Sequence, residues 1–335
     1  MNQPTRLHMR NKLVIFLILF VLAGFLPLRA QQEAQFTQYM FNNMSFNPGY
    51  AGINGPICLN LFGRTQWMGF EDPSGQSVTP KTALFSLDAP IRFLHGGLGG
   101  VVVMDNIGFE KNIGFKLNYS YHVNVGTGTL GIGAGVSFLN KKLDFSKLDP
   151  IDPIDPLLVG KNIESDFITD FSFGAFYKVP QKFYIGLSAS QLAESQGDVK
   201  KTGVKLKRTF WLTGGYEYVL PNNPSFVLLP SLLVKTDLVS AQYDVSALME
   251  YQNQFFGGLN YRVQDAISLI AGVNLLQANN DNATGLKLGV SYDLTTSKLS
   301  GKNKSSGTFE VFARYCFKIV IPPTFTKYGN TRKFR

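Results

Sequence analysis

The stretch TLGIGAGVSFL, residues 129–139, places Leu130, Ile132, Ala134, Val136 and Phe138 on one side of an extended chain. Gly131, Gly133, Gly135 and Ser137 fall on the other. A period of two held over some ten residues marks a strand with unlike faces. The pattern recurs. Ile113, Phe115, Leu117, Tyr119 and Tyr121 alternate with Gly114, Lys116, Asn118, Ser120 and His122. Leu286, Leu288, Val290 and Tyr292 alternate with Lys287, Gly289, Ser291 and Asp293. Phe309, Val311, Ala313, Tyr315 and Phe317 alternate with Glu310, Phe312, Arg314 and Cys316.

Strand length separates a soluble sandwich from a membrane barrel. Sandwich strands average about five or six residues. These run about ten, the length that crosses a bilayer at a tilt of about 45°. Strands are predicted to begin near residues 57, 81, 97, 112, 129, 169, 182, 207, 225, 241, 253, 266, 284 and 308. Fourteen is an even number, so the expected fold is all-β: a transmembrane antiparallel β-barrel of about 14 strands with both ends on one side. With those ends in the periplasm, the connections there are mostly short. The outer loops at 68–80, 142–168, 192–206 and 294–307 are long, as in bacterial outer-membrane barrels. Tyr119, Tyr121, Tyr216, Tyr218, Tyr251, Tyr315 and Phe317 suit an interfacial girdle.

Residues 1–30 read as a signal peptide, with Arg6, Arg10 and Lys12 before the 14-residue apolar run LVIFLILFVLAGFL (13–26) and Ala30 at the cleavage point. No second long apolar run follows, so any membrane crossing is by strands. The formal net charge is +9, of which the leader holds four and the tail 318–335 five, leaving residues 31–317 neutral. Positive charge confined to the termini is not a nucleic-acid footprint.

Chemistry-bearing clusters are sparse. After the leader the histidines are His95 and His122, without metal-ligand spacing, and no nucleophile–base pair can be assembled. The expectation is a non-enzymatic protein with no cofactor and no metal. The repeat LDPIDPIDPLL (148–158) sets Asp149, Asp152 and Asp155 three residues apart. It reads as a Pro-stiffened acidic loop, with a calcium or partner site as the alternative. Arg64, Gln66, Arg208, Glu217, Glu250, Arg262, Glu310 and Arg314 take polar-face positions and are expected in the lumen, lining a solute path or pairing with one another.

Cys58 opens the first strand and Cys316 ends the last. Closure makes those strands neighbours, both cysteines share the polar parity, and the periplasm is oxidising. A seam disulfide depends on a register that sequence does not fix, so bonded and free states both stay open. The uncharged segment QFTQYMFNNMSFNPGYAG (35–52) is too polar to cross a membrane. Phe36, Tyr39, Met40 and Asn43 have helical spacing, and a short amphipathic turn held at the barrel mouth is expected; the alternative is a periplasmic tail that orders on a partner. Pro322 and Pro323 end the sheet. The tail beyond offers Lys327, Tyr328, Arg332, Lys333, Phe334 and Arg335 as a periplasmic docking strip.

The same segments carry a family resemblance. QFTQYMFNNMSFNPGYAG resembles the start of the PorP/SprF proteins of Bacteroidetes, whose N-P-A-x-x-G motif reads here Asn47, Pro48, Gly49, Tyr50, Ala51, Gly52. Gly49 departs from the usual alanine. RTQWMGF (64–70) is similar to the family's R-x-Q-W, in Arg64, Gln66 and Trp67. KTALFSLDAPI (81–91), LDFSKL (143–148), KRTFWLTGGYEY (207–218) and the closing blocks 258–275, 286–300 and 307–317 also fit. The resemblance implies an integral outer-membrane barrel of type IX secretion and gliding, supporting secretion or surface anchoring of adhesins. Implied partners are secretion components such as PorK/PorN-type periplasmic ring proteins, secreted surface adhesins and outer-membrane lipid, with no nucleic acid. The expected organisation is a leader 1–30, a periplasmic or plug segment 31–56, a barrel 57–317 and a basic periplasmic tail 318–335. Rival readings are a passive porin or hydrophobic-solute transporter, and a secreted β-sandwich adhesin.

Overall fold

The structure, a computed structural model, describes residues 33–71, 78–144, 163–197, 205–275, 285–297 and 305–317. The leader, the acidic repeat, parts of the loops 68–80, 192–206 and 294–307, and the tail from 318 lie outside the described residues.

One antiparallel sheet closes on itself. Its strands are β1 (Ile57–Thr65), β2 (Lys81–Ile91), β3 (Gly96–Ile107), β4 (Glu110–Val125), β5 (Gly128–Asp144), β6 (Ile163–Val179), β7 (Phe183–Ser190), β8 (Thr209–Tyr216), β9 (Tyr218–Val219), β10 (Phe226–Thr236), β11 (Ala241–Tyr251), β12 (Phe255–Arg262), β13 (Ala266–Leu275), β14 (Gly285–Thr295) and β15 (Thr308–Phe317). β8 and β9 are one stave interrupted at Glu217; both pair with β10. The barrel therefore has fourteen staves. Closure is made by β15 on β1, in register from Ile57 opposite Phe317 to Thr65 opposite Phe309. Both ends of the strand run lie at one rim, called here the terminal rim.

Alternation sorts the side chains. On β4, Ile113, Phe115, Leu117 and Tyr121 are exposed on the outer wall, while Asn118 and Ser120 are buried inside. A closed barrel leaves no backbone edge unpaired, the condition for crossing lipid with strands. At the terminal rim Tyr121, Tyr216, Tyr218, Tyr251 and Tyr315 face outward, where amphipathic rings favour the bilayer interface.

Thirteen of the fourteen predicted strand starts fall within two residues of those observed. The exception is β6, which begins at Ile163 and not near 169. Its early residues pair with the end of β5, Asp144 opposite Ile163 and Lys142 opposite Ser165. There Asn140, Lys142, Asp144 and Ser165 put polar residues on the outward face where apolar ones stand lower on the wall, and the period of two loses its signal. Arg208 also departs from expectation. It precedes β8 and is exposed, its guanidinium donating to the Leu192 carbonyl at 2.8 Å, outside the lumen.

Candidate functional site

Residues 33–56 occupy the lumen, and the core of the molecule is the contact between this segment and the inner wall. The segment does not stop at the mouth. Glu33 lies toward the rim opposite the termini, where Gln191 Nε2 donates to its carboxylate at 2.9 Å and Lys235 Nζ to its carbonyl at 3.1 Å. From there the chain runs the length of the barrel to β1. The predicted amphipathic turn is replaced by two three-residue 3-10 turns, Tyr39–Phe41 and Asn43–Ser45. A helix with one apolar face suits a flat wall. Here the wall surrounds the segment, and Phe36, Thr37, Gln38, Tyr39, Phe41, Asn42, Asn43 and Met44 are all buried.

Three layers hold it. The first is ionic and lies toward the far rim. Arg64 bridges Glu310 at 2.9 Å and Asp293 at 3.0 Å, and Arg262 reaches Asp244 at 2.8 Å. Three carboxylates against two guanidiniums leave formal negative charge in excess. The segment answers it with donors: the Thr37 and Gln38 amides to Glu310 at 2.8 and 2.9 Å, Thr37 Oγ1 to Asp293 at 2.8 Å, and Gln35 Nε2 to Asp244 at 3.0 Å. Hydrogen bonds to ionised acceptors contribute roughly 1.5–3 kcal/mol each.

The second layer is aromatic. Phe36 meets Phe62 at 5.4 Å edge-on, Phe41 stacks on Phe312 at 4.7 Å, and Phe46 stacks on Trp211 at 5.2 Å. Such pairs add about 0.5–1.5 kcal/mol beyond buried area.

The third layer seats the Asn47–Gly52 motif on a floor of glycines. Pro48–Tyr50 forms a 3-10 turn, and the Asn47 side chain accepts from the Gly49 amide at 2.9 Å. Asn47 Nδ2 donates to the Ala175 carbonyl at 3.1 Å. Ser120 Oγ donates to the Gly49 carbonyl at 2.9 Å, His122 Nε2 lies 2.9 Å from the Ala51 carbonyl, and the Gly52 amide donates to Asp88 at 3.2 Å. A Cβ at Gly131 would lie 2.1 Å from the Gly49 oxygen, and one at Gly133 would lie 2.4 Å from the Pro48 carbonyl carbon. The glycine-rich face of TLGIGAGVSFL is thus the seat of the motif.

Of the other residues singled out by sequence, Arg64 lies in the ionic layer. Gln66 and Trp67 lie just past β1, their amides donating to the Pro80 carbonyl at 2.9 Å and Thr308 Oγ1 at 3.0 Å. Glu250 meets Lys287 at 3.3 Å. Arg314 reaches Tyr50 Oη at 3.4 Å and sits beside Cys58 and Cys316, which are register partners joined by a disulfide. Sequence reading missed Asp244, Glu33, Lys116 and Lys235. Each has polar-face parity or lies in the segment, but a single charge on a polar face carries no sign of its partner. Among the described residues, no group of three metal-ligating side chains is clustered.

The toluene transporter TbuX of Ralstonia pickettii has 14% identity over 90% of this chain and 100% of its own, with a TM-score of 0.50. A FadL homologue of Pseudomonas aeruginosa has 11% identity over 80% and 93%, with a TM-score of 0.43. Omp33 of Acinetobacter baumannii has 8% identity over 78% and 99%, with a TM-score of 0.40. At these identities the likeness to TbuX speaks for the outer-membrane barrel fold alone. No curated relative matches at a significant level. The family model described as type IX secretion system membrane protein PorP/SprF matches residues 28–315, which takes in the lumen segment, its glycine seat and the closing strand together, and the chain belongs to that family.

Proposed function

We propose that the protein is a non-enzymatic, plugged anchor of the type IX machinery. It supports secretion or surface attachment of adhesins and contacts periplasmic secretion components such as ring proteins of the PorK/PorN type. The terminal rim faces the periplasm and the long connections face outward. The observation that carries this reading is the lumen segment. Bonded to the wall along its length, it makes the barrel a closed support and opposes an open solute path. Affinity purification of the full-length protein from native membranes tests it. Recovery of secretion-ring proteins or a surface adhesin is expected; recovery of neither, from a folded and abundant barrel, rejects the assignment. The rival reading, a porin or hydrophobic-solute transporter, predicts solute flux or channel conductance from the intact protein.

A further inference from the structure

The outer wall changes character abruptly on one side of the barrel. Across β2 to β5 the outward residues form register rows. Phe85, Val102, Phe115 and Phe138 make one row, and Ala83, Met104, Ile113 and Asn140 make the next, one step toward the far rim. The following row is Lys81, Asn106, Lys111 and Lys142, continued on β6 by Ser165. Phe115 stacks toward Phe138, and Phe138 toward Phe167, in the band below. Lys81, Asn106 and Lys111 are exposed and Lys142 half-buried.

Two features of this row point to an anion. Lys111 and Lys142 are direct cross-strand partners, and like charges placed so destabilise a sheet unless something lies between them. Among the described residues neither has an ion-pair partner, in contrast to the inward neighbour Lys141, which pairs with Glu110. The outward acid on the same file, Asp144, lies one row farther from the apolar band. Followed the other way across β1, the same row runs from Lys81 through Thr65 to Phe309, and among the described residues the wall beyond it, at Leu294, Ile267 and Tyr261, is exposed and apolar.

We propose that Lys81, Asn106, Lys111 and Lys142 bind the phosphates of a phosphorylated glycolipid whose acyl chains lie on the Phe115–Phe138–Phe167 band. Lying one register step beyond the apolar rows and slanting with the strand tilt, the row crosses the depth at which headgroups begin. Strands are spaced about 4.8 Å apart, so Lys81 and the Lys111–Lys142 pair lie roughly 10–14 Å from each other. A headgroup carrying one phosphate at each end of a sugar core engages both at once, and a single phosphodiester engages one. The choice of a glycolipid rests on the far rim facing the outer leaflet, as proposed above.

The test uses the purified full-length protein, titrated in detergent with bisphosphorylated lipid A and read by native mass spectrometry. Lipid is offered free in solution, so the assay reads the site whichever way the barrel is oriented in the cell. Exchanging Lys81, Lys111 and Lys142 together for glutamine is expected to weaken binding roughly a hundredfold, from about fivefold per charge. Arginine at all three positions is expected to keep it. The paired change Lys182→Gln and Lys207→Gln serves as the control and is expected to leave it unchanged. Heat-modifiable mobility verifies folding; if the triple variant does not fold, Lys111→Gln alone is expected to weaken binding about fivefold. Binding within twofold of the parent in the folded glutamine variants overturns the proposal. So does phosphatidylglycerol binding as tightly as lipid A, or inorganic phosphate at equal concentration displacing it.

Discussion

Arg64 holds two carboxylates at once, and one of them, Glu310, accepts two backbone amides of the lumen segment. Replacing Arg64 by alanine leaves Glu310 and Asp293 buried without their cation, a change that costs about 3–5 kcal/mol where a buried pair is broken. The expected result is a lower temperature for the loss of heat-modifiable mobility and earlier protease cleavage within residues 33–46. Unchanged values for both would remove Arg64 from the seat. Gly49 makes a sharper case, because it departs from the alanine usual in the motif. A Cβ there would lie 2.7 Å from the Gly131 carbonyl oxygen and 3.0 Å from that of Gly174. Backbone cannot yield as a side-chain tip does, so Gly49→Ala is expected to destabilise the seated segment by about 1–3 kcal/mol, although it restores the common residue. An alanine variant as stable as the parent would show that the floor relaxes. For Cys58 and Cys316 the expectation is no reactive thiol in freshly purified, denatured and unreduced protein. Two reactive thiols would refute a bonded seam.

The strands were legible because their chemistry is local: a residue is apolar or polar by its own identity, and alternation shows on the page. The 3-10 turns of the lumen segment were not. Their conformation is imposed by a wall that encloses them, and Thr37 and Gln38 owe their burial to Glu310, which is more than 270 residues away. Seam register, and with it the Cys58–Cys316 juxtaposition, likewise depends on how strands meet and not on either strand alone. The element that tests the plug is the segment itself. Deleting residues 35–52 removes the aromatic and glycine-seated layers but leaves all fourteen staves and their pairing intact. Conductance in planar bilayers is therefore expected to rise from near zero while heat-modifiable mobility persists. Near-zero conductance from the folded deletion variant would mean that another part of the chain closes the pore.

At the scale of the whole molecule, charge is divided between a neutral body and a basic tail. Residues 31–317 carry no net charge, whereas 318–335 carry five positive charges, no acid, and Phe325, Tyr328 and Phe334 between them. This tail lies outside the described residues and follows the end of β15. Phe317 is opposite Ile57 at the terminal rim, and Pro322 and Pro323 lack the amide donors a further strand needs. Under the proposed orientation, with that rim in the periplasm, Lys327, Arg332, Lys333 and Arg335 would steer a partner and Tyr328 and Phe334 would anchor it. Anionic lipid competes for the same strip at roughly 1 kcal/mol per charge. The two differ in what loss of the rings does. Tyr328→Ala with Phe334→Ala keeps every charge, so a purely electrostatic lipid contact largely survives. A protein dock loses anchors worth on the order of 2 kcal/mol each where they are hot spots. Co-purification of periplasmic ring proteins is expected to fall in the double-alanine form and to vanish when 318–335 is deleted, at matched outer-membrane levels. Equal recovery from the deleted and intact forms would place the dock elsewhere on the terminal rim.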